Sequence, residues 1–444
     1  MDKPISPPPL NILPVGNCLE LHRASPIEKI IFEMIRKGNM PQAEIILRGY
    51  HEKDPGNPSV LNFLGWIASA VNLPEYAIDY FGRAAERAPT WKLPRINLKM
   101  VEKCIADTQG KPGLDMAAMN YANKNEKLLL IKAWGYGFWS DVSHVLGQLL
   151  VAELAGRTPV VSWGRNSLFG DGATENAFDY YFEALSNVSV HDIQRDNFNY
   201  WPPKWNCGNL LEGEVNKWNG PYSRVAGLYL LGRPEKVVVS DFFTSIYDLI
   251  PWIPRGHHLY GLSVDDLYLY LVRKYLHPRK EILDAVDCFY KRHLAAHDFI
   301  AVHARGSDKA LEMNNLDEVN GQYKAIIDQH LASRNYQRIF LMTDDARVLQ
   351  YFKQAYGNMI ITTDCQRTNN ATGIHYQTVP DRRRQLGTEV MVDAYLAAHA
   401  QAFVGNGFSN PSLIVRYLKD WPSGSVSLIG KNMFHTANTL LHNW

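Results

Sequence analysis

From residue 299 onward, short apolar runs alternate with amphipathic stretches, and this alternation leaves the chain few folds to adopt. The runs FIAVHA, RIFLMT, MIITT and AFVG have strand length rather than helix length. Helical spacing predicts helices around 320–333, 346–356, 387–399 and 410–419, the second of them stopped by Gly357. Strands that are apolar without a break are covered on both faces, which indicates a parallel sheet with helices on either side.

A second unit of the same kind begins at Lys127. LLLIKA reads as a buried strand and leads into the turn Gly135-Tyr136-Gly137. Ser140 is expected to cap a helix with apolar positions Val142, Val145, Leu146, Leu149, Leu150 and Leu154, ended by Gly156 before the strand TPVVSW. The stretch from about 170 to 260 is rich in Trp, Tyr, Asn and Pro with weak periodicity, so long loops lining a cleft are expected there.

Residues 26 to 92 repeat with a period of 34: Ala43 with Ala77, Leu47 with Phe81, Pro55 with Pro89. That is the period of a TPR helical hairpin, in which a small residue lets paired helices approach and a proline ends the second one. The hairpins could simply cap the rest of the protein or offer a docking surface for a partner or acceptor. The chain is therefore expected to comprise a tail over 1–25, a TPR-like region over 26–110, one α/β lobe over 126–290 and a second over 291–444.

Charge excludes some partners. Lys and Arg total 46 against 45 Asp and Glu, a net +1, so no global field draws the protein to nucleic acid or anionic lipid. Cys18, Cys104, Cys207, Cys288 and Cys365 show neither CxxC nor zinc spacing, which suggests a reducing compartment. The first residues are broken by prolines, and no apolar run is long enough to span a membrane. A cytoplasmic location is the expectation, and the sequons at Asn187 and Asn370 would then stay unmodified.

Ligands of parallel sheets bind beyond the C-terminal strand ends. Three polar groups fall there: His303-Ala304-Arg305-Gly306-Ser307-Asp308-Lys309, Thr343-Asp344-Asp345, and Gly405-Asn406-Gly407-Phe408-Ser409. Arg305 has the planar fork that grips two phosphate oxygens, Lys309 adds a second charge, and Ser409 precedes a helix whose N-terminus favours anions. This set suits a diphosphate, although Arg305 and Asp308 could instead form a structural ion pair. Other noticeable residues have simpler readings. Asp141 and His144 suit capping or packing as well as acceptor contact, the run Asp381 to Arg384 suits a solvated or donor-closing loop, and His257 with His258 suit a loop more than a metal.

HARGSDK resembles the HxRRxDK motif of the α1,6-fucosyltransferases, a group that includes the nodulation fucosyltransferases and is related to the protein O-fucosyltransferases. The following TDD segment, the acidic helix VDAYLAAH around Asp393, and Ser409 sixteen residues beyond that acid match the family's order. The likeness spans roughly residues 127 to 430. It implies a GT-B-like α/β fold of two Rossmann-like lobes, with a parallel sheet in the C-terminal lobe, preceded here by the all-α TPR-like region. It also implies inverting transfer from GDP-fucose to a glycan or protein hydroxyl, with no cofactor and no divalent metal. The chain has no D-x-D triplet, which is consistent with metal independence.

Carried over by position, the resemblance assigns Arg305 to the β-phosphate with Lys309 assisting, Ser409 to the diphosphate, and His303 with Asp393 to the guanine. Asp344 and Asp345 would shape the donor site. The family's second arginine is Gly306 here, so a cation is either absent or supplied by Arg382, Arg383 or Arg384. Glu312 is the first candidate for the general base and Asp308 the second. The rival readings are transfer from another nucleotide sugar and a non-catalytic TPR scaffold with a degenerate nucleotide-binding domain.

Overall fold

The computed structural model describes residues 13–37, 40–71, 73–108, 127–171, 176–219, 227–306, 316–370, 372–407 and 409–430. The first part is helical: α1 (Pro26–Arg36), α2 (Met40–Lys53), α3 (Pro58–Ala70), α4 (Pro74–Arg87) and α5 (Lys92–Thr108). Consecutive helices pack on one another. Helix α1 opens with a capping box between Ser25 and Glu28, and Asn57 caps α3. The paired repeat positions Ala43, Leu47, Ala77 and Phe81 are fully buried. Gly65 of α3 is needed for this packing, since a Cβ there would stand 2.8 Å from the Phe81 ring.

A buried ionic cluster fastens this helical region to the lobe that follows. Arg48 of α2 pairs with Glu44 one turn earlier at 2.9 Å and with Asp248 of the lobe, while Trp252 Nε1 donates to Glu44 at 3.1 Å. All three charged groups are buried.

The first lobe holds β1 (Leu128–Lys132), α6 (Phe138–Ala155), β2 (Thr158–Ser162), β3 (Tyr200–Trp201) and β4 (Val237–Ser240). Its sheet is parallel throughout, in the order β2-β1-β4-β3. Helix α6 begins earlier than the sequence suggested, because Gly137 rather than Ser140 is its N-cap; Gly156 ends it in the left-handed conformation. Strand β4, from the run VVVS, lies within the stretch expected to be loops. Four residues of strand carry too little periodicity to be recognised amid irregular sequence.

Gly147 of α6 lies against the backbone of the segment after β4. A Cβ there would stand 1.8 Å from the Thr244 carbonyl oxygen, and Gln148 Nε2 donates to Thr244 Oγ1 at 2.6 Å beside it. A backbone contact cannot yield as a side chain can, so Gly147→Ala should destabilise by about 3 kcal/mol. Urea unfolding should show a lower midpoint at unchanged slope.

Helices α7 (Val264–Tyr275) and α8 (Lys280–His293) join the lobes. The second lobe contains β5 (Phe299–His303), α9 (Leu316–Ser333), β6 (Arg338–Met342), α10 (Ala346–Tyr356), β7 (Ile360–Ile361), α11 (Pro380–Ala398), β8 (Ala402–Asn406), α12 (Asn410–Tyr417) and β9 (Val426–Ile429). Its sheet is also all parallel, in the order β7-β6-β5-β8-β9. The protein is thus an α/β fold of two Rossmann-like, GT-B-like lobes behind an all-α region.

Helix α8 packs on α11, and α7 touches both α6 and α12, so the linking helices hold the two lobes together. Tyr268 of α7 stacks on Tyr417 of α12 with ring centroids 4.2 Å apart. Tyr181 of the first lobe meets Gly387 of α11, where a Cβ would approach its hydroxyl to 2.3 Å. Among the described residues no helix is long and apolar enough to cross a membrane.

Candidate functional site

In the second lobe the chain starts in the middle of the sheet at β5, builds outward through β6 and β7, then returns to add β8 on the other side. The crevice between β5 and β8, beyond their C-terminal ends, is where an open α/β sheet receives ligand. His303 ends β5 and Asn406 ends β8.

His303 is held across that crevice. Its Nδ1 lies 2.6 Å from Ser412 Oγ, which accepts from the Asn406 backbone N–H at 2.8 Å. The hydroxyl thus ties the imidazole at the end of β5 to the backbone at the end of β8. Burial, reinforced by the charge of Arg305, holds the imidazole pKa well below its usual value, so the ring is neutral. Tyr323 of α9 donates to the His303 carbonyl at 2.6 Å. A Cβ at Gly405 would stand 2.8 Å from Ser412 Oγ, so glycine permits this close approach.

Arg305 follows β5 and pairs with Asp344 after β6, Nη1 to Oδ2 at 2.9 Å, with both side chains mostly buried. Asp344 also accepts from the Gly306 backbone N–H at 3.4 Å. Asp345 turns the other way. It caps α10 through the Arg347 N–H at 2.8 Å and pairs with the Arg347 guanidinium at 2.5 Å. A Cβ on Gly306 would come within 2.4 Å of Asp345 Cβ, so the position that holds arginine in the resembling family has no room for a side chain here.

Asp393 reaches the same cavity from α11. Thr363 Oγ1 donates to its carboxylate at 2.6 Å, yet burial dominates and pushes its pKa up to about 6. Leu386, Glu389, Val390 and Asp393 line the cavity from one face of α11, while His303, Arg305, Met342, Thr343 and Asp344 line it from the strand ends. Trp139, in the first turn of α6, closes it from the other lobe.

The structure therefore brings together His303, Arg305, Asp344 and Asp393. Asp345 does not line the cavity but supports its wall. Ser409 is buried at the N-cap of α12 without a side-chain capping bond, three residues from Ser412. Asp308, Lys309 and Glu312 lie outside the described residues. The run Asp381 to Arg384 is not a loop: Pro380 starts α11, and the run forms its first turn. Arg384 covers the Tyr180 ring at 4.6 Å, and none of the three arginines is among the cavity residues. His257 and His258 stack at 4.4 Å in a loop, with His258 Nε2 3.1 Å from the Tyr270 hydroxyl.

Sequence reasoning missed Ser412, Glu389, Cys365 and Gln366. Glu389 carried a signal, since it lies one helical turn before Asp393. Its carboxylate accepts from the Gln366 N–H at 3.0 Å and fixes the loop that lines the cavity. In the first lobe, Asp141 proves to be a turn-holding residue: its Oδ1 accepts from the Gly135 N–H at 2.8 Å and the Tyr136 N–H at 3.4 Å. Burial raises its pKa to about 7.

No family model matches the chain, and no curated protein matches it in sequence. Among solved structures it is similar to the fucosyltransferase NodZ from Bradyrhizobium, at 18% identity and TM-score 0.41, over 66% of this chain and 93% of that one. It is also similar to POFUT1 in complex with GDP-fucose, at 16% identity and TM-score 0.43, over 69% and 99%. A variant of Arabidopsis thaliana FUT1 in complex with GDP is similar at 13% identity and TM-score 0.40, over 73% and 76%.

Proposed function

We propose that the chain is an inverting, metal-independent glycosyltransferase that takes fucose from GDP-fucose and transfers it to a hydroxyl of a glycan or protein. The observation that carries this is the convergence of His303, Arg305, Asp344 and Asp393 on one cavity at the switch point of a parallel sheet. Arg305 is placed for the diphosphate, held in orientation by Asp344 until the anion arrives. Asp393 suits guanine, whose edge offers N–H donors to a carboxylate, while the neutral His303 lines the same cavity and can hydrogen-bond the same base.

In the reaction, a carboxylate base removes the acceptor hydroxyl proton, with Glu312 the first candidate and Asp308 the second. The acceptor oxygen attacks the anomeric carbon as its bond to the β-phosphate oxygen breaks. GDP leaves with the electron pair, and Arg305, assisted by Lys309, stabilises the growing phosphate charge. The helical region is the candidate surface for a protein partner, and its ionic attachment suits a fixed surface more than a tethered module. The scattered cysteines fit a cytoplasmic setting.

Calorimetric titration with GDP, UDP, CDP and ADP in EDTA tests the donor. Selective GDP binding is expected; selective UDP binding would keep the enzyme class and replace the donor, and binding of none would favour a scaffold. The pH dependence tests Asp393. Its raised pKa means that the folded protein holds the proton more tightly than the unfolded chain, so its stabilising contribution is full at acid pH and lost as pH rises through about 6. GDP should prefer the ionised form. Affinity should therefore be flat above pH 7 and fall towards ten-fold per unit below about pH 6, and Asp393→Asn should bind GDP more weakly and lose this dependence.

A further inference from the structure

The helical region carries a piece of chain that is not part of its repeat. Residues 13–19 precede α1, form a tight turn over Val15–Cys18, and lie against α1 and α3. Three buried side chains grip that turn by its backbone carbonyls. Asn62 Nδ2 of α3 donates to the Cys18 carbonyl at 3.0 Å, and Asn97 Nδ2 of α5 donates to the Asn17 carbonyl at 3.0 Å. Trp66 Nε1 of α3 donates to the Pro14 carbonyl at 3.3 Å. Asn97 also donates to Asn62 Oδ1 at 3.0 Å, and the two asparagines stand 35 residues apart, close to the repeat period.

Both asparagines are fully buried, and a buried amide without a partner is costly, so this seat calls for an occupant that presents carbonyls. It does not call for one sequence, because every residue has a carbonyl and only Leu13, Cys18 and Leu19 of the segment are buried. Nor does the segment use all that the seat offers. Asn97 Oδ1 is buried with no hydrogen-bond partner among the described residues, an acceptor suited to a backbone N–H. The lobe holds the helical region elsewhere, through Arg48 of α2 with Asp248 and through Asp79 and Glu86 of α4 with Arg255 at 3.7 and 3.6 Å. Residues 21–23, between the segment and α1, form an exposed turn, so the segment can swing away without unwinding a helix.

We infer that α1, α3 and α5 form a peptide-docking seat that the chain fills with its own residues 13–19. Its partner is a peptide segment of uncharged residues that presents a turn of backbone carbonyls, with a small apolar side chain where Cys18 sits. The inference rests on the reading of the helical region as a partner surface and is independent of the donor. Docking is then an exchange. A partner must displace a segment tethered close by, which favours partners that bring further contacts. Ile30 of α1 and Ile96 of α5 are exposed on the helices of the seat and are available for them.

Cys18 reports the exchange. It is fully buried in the seat and burial pushes its thiol pKa up, so a maleimide reaches it only when the segment leaves. The test uses the full chain and a fluorescent peptide of residues 13–22 carrying Cys18→Ser, with binding followed by anisotropy and alkylation of Cys18 by mass spectrometry. The peptide should bind, and at millimolar concentration should speed Cys18 alkylation about ten-fold or more by trapping the open seat. Asn97→Ala should speed alkylation about ten-fold without peptide and weaken peptide binding. Trp66→Phe, which keeps an aromatic ring and removes the donor, should do the same to a lesser extent and serves if Asn97→Ala does not fold. Peptide binding that leaves Cys18 alkylation unchanged would overturn the seat while keeping the helical region as a partner surface. No peptide binding, with Cys18 alkylated only as fast as the whole chain unfolds, would overturn the seat and leave the helical region a cap on the lobe.

Discussion

Replacing Arg305 with alanine should lower the rate of GDP release from GDP-fucose by about 10²–10³-fold. The guanidinium sits at a strand end, paired with Asp344 rather than packed in a core. In the proposed transfer, its removal would withdraw a cation from the leaving diphosphate and expose that anion to the Asp344 carboxylate. Arg305→Lys should also be impaired, because a lysine is a point charge without the planar fork that spans two oxygens. An Arg305→Ala enzyme within ten-fold of the parent would remove the central role of this residue.

The second large effect concerns stability. Arg48→Ala should destabilise the protein by about 3–5 kcal/mol, because Glu44 and Asp248 would remain as buried carboxylates without their cation. Burial already pushes both pKa values up, and losing Arg48 would raise them further. A carboxyl whose folded pKa lies above its unfolded value is most favourable in the folded state at acid pH. The deficit of the variant should therefore be smaller at pH 5 than at pH 8, measured by denaturant unfolding at both. A deficit that is equal at the two values, or below about 1 kcal/mol, would show that the cluster contributes little to holding the helical region on the lobe.

How far the sequence alone could be read depended on how local each determinant was. The second lobe was legible because strands buried on both faces are written as unbroken apolar runs; 346–356 was read as a helix and is α10. Helix α11 was read from 387, but it starts at Pro380. Its first turn is so charged that a helix and a solvated loop look alike. In the site, His303, Arg305 and Asp344 stand out because they lie at strand ends, whereas Asp393 is pointed to only by the resemblance of its helix to the fucosyltransferase motif. Ser412 was marked in neither way, since a serine inside a helix becomes notable only when folding sets it 2.6 Å from His303. The aromatic contact of Trp134 with Phe242 was hidden for the same reason: the two are far apart in sequence and meet because β1 and β4 pair.

The contact between Gly306 and Asp345 also constrains how this site can change over evolutionary time. With 2.4 Å between a would-be Cβ and its neighbour, an arginine at 306 is blocked while Asp345 keeps its place. Asp345 in turn is committed to the start of α10 and to Arg347. Because the obstruction is the position of the backbone after β5 relative to the start of α10, installing an arginine at 306 requires that loop to move, and engineering the double-arginine form is a change of loop geometry as well as of one side chain.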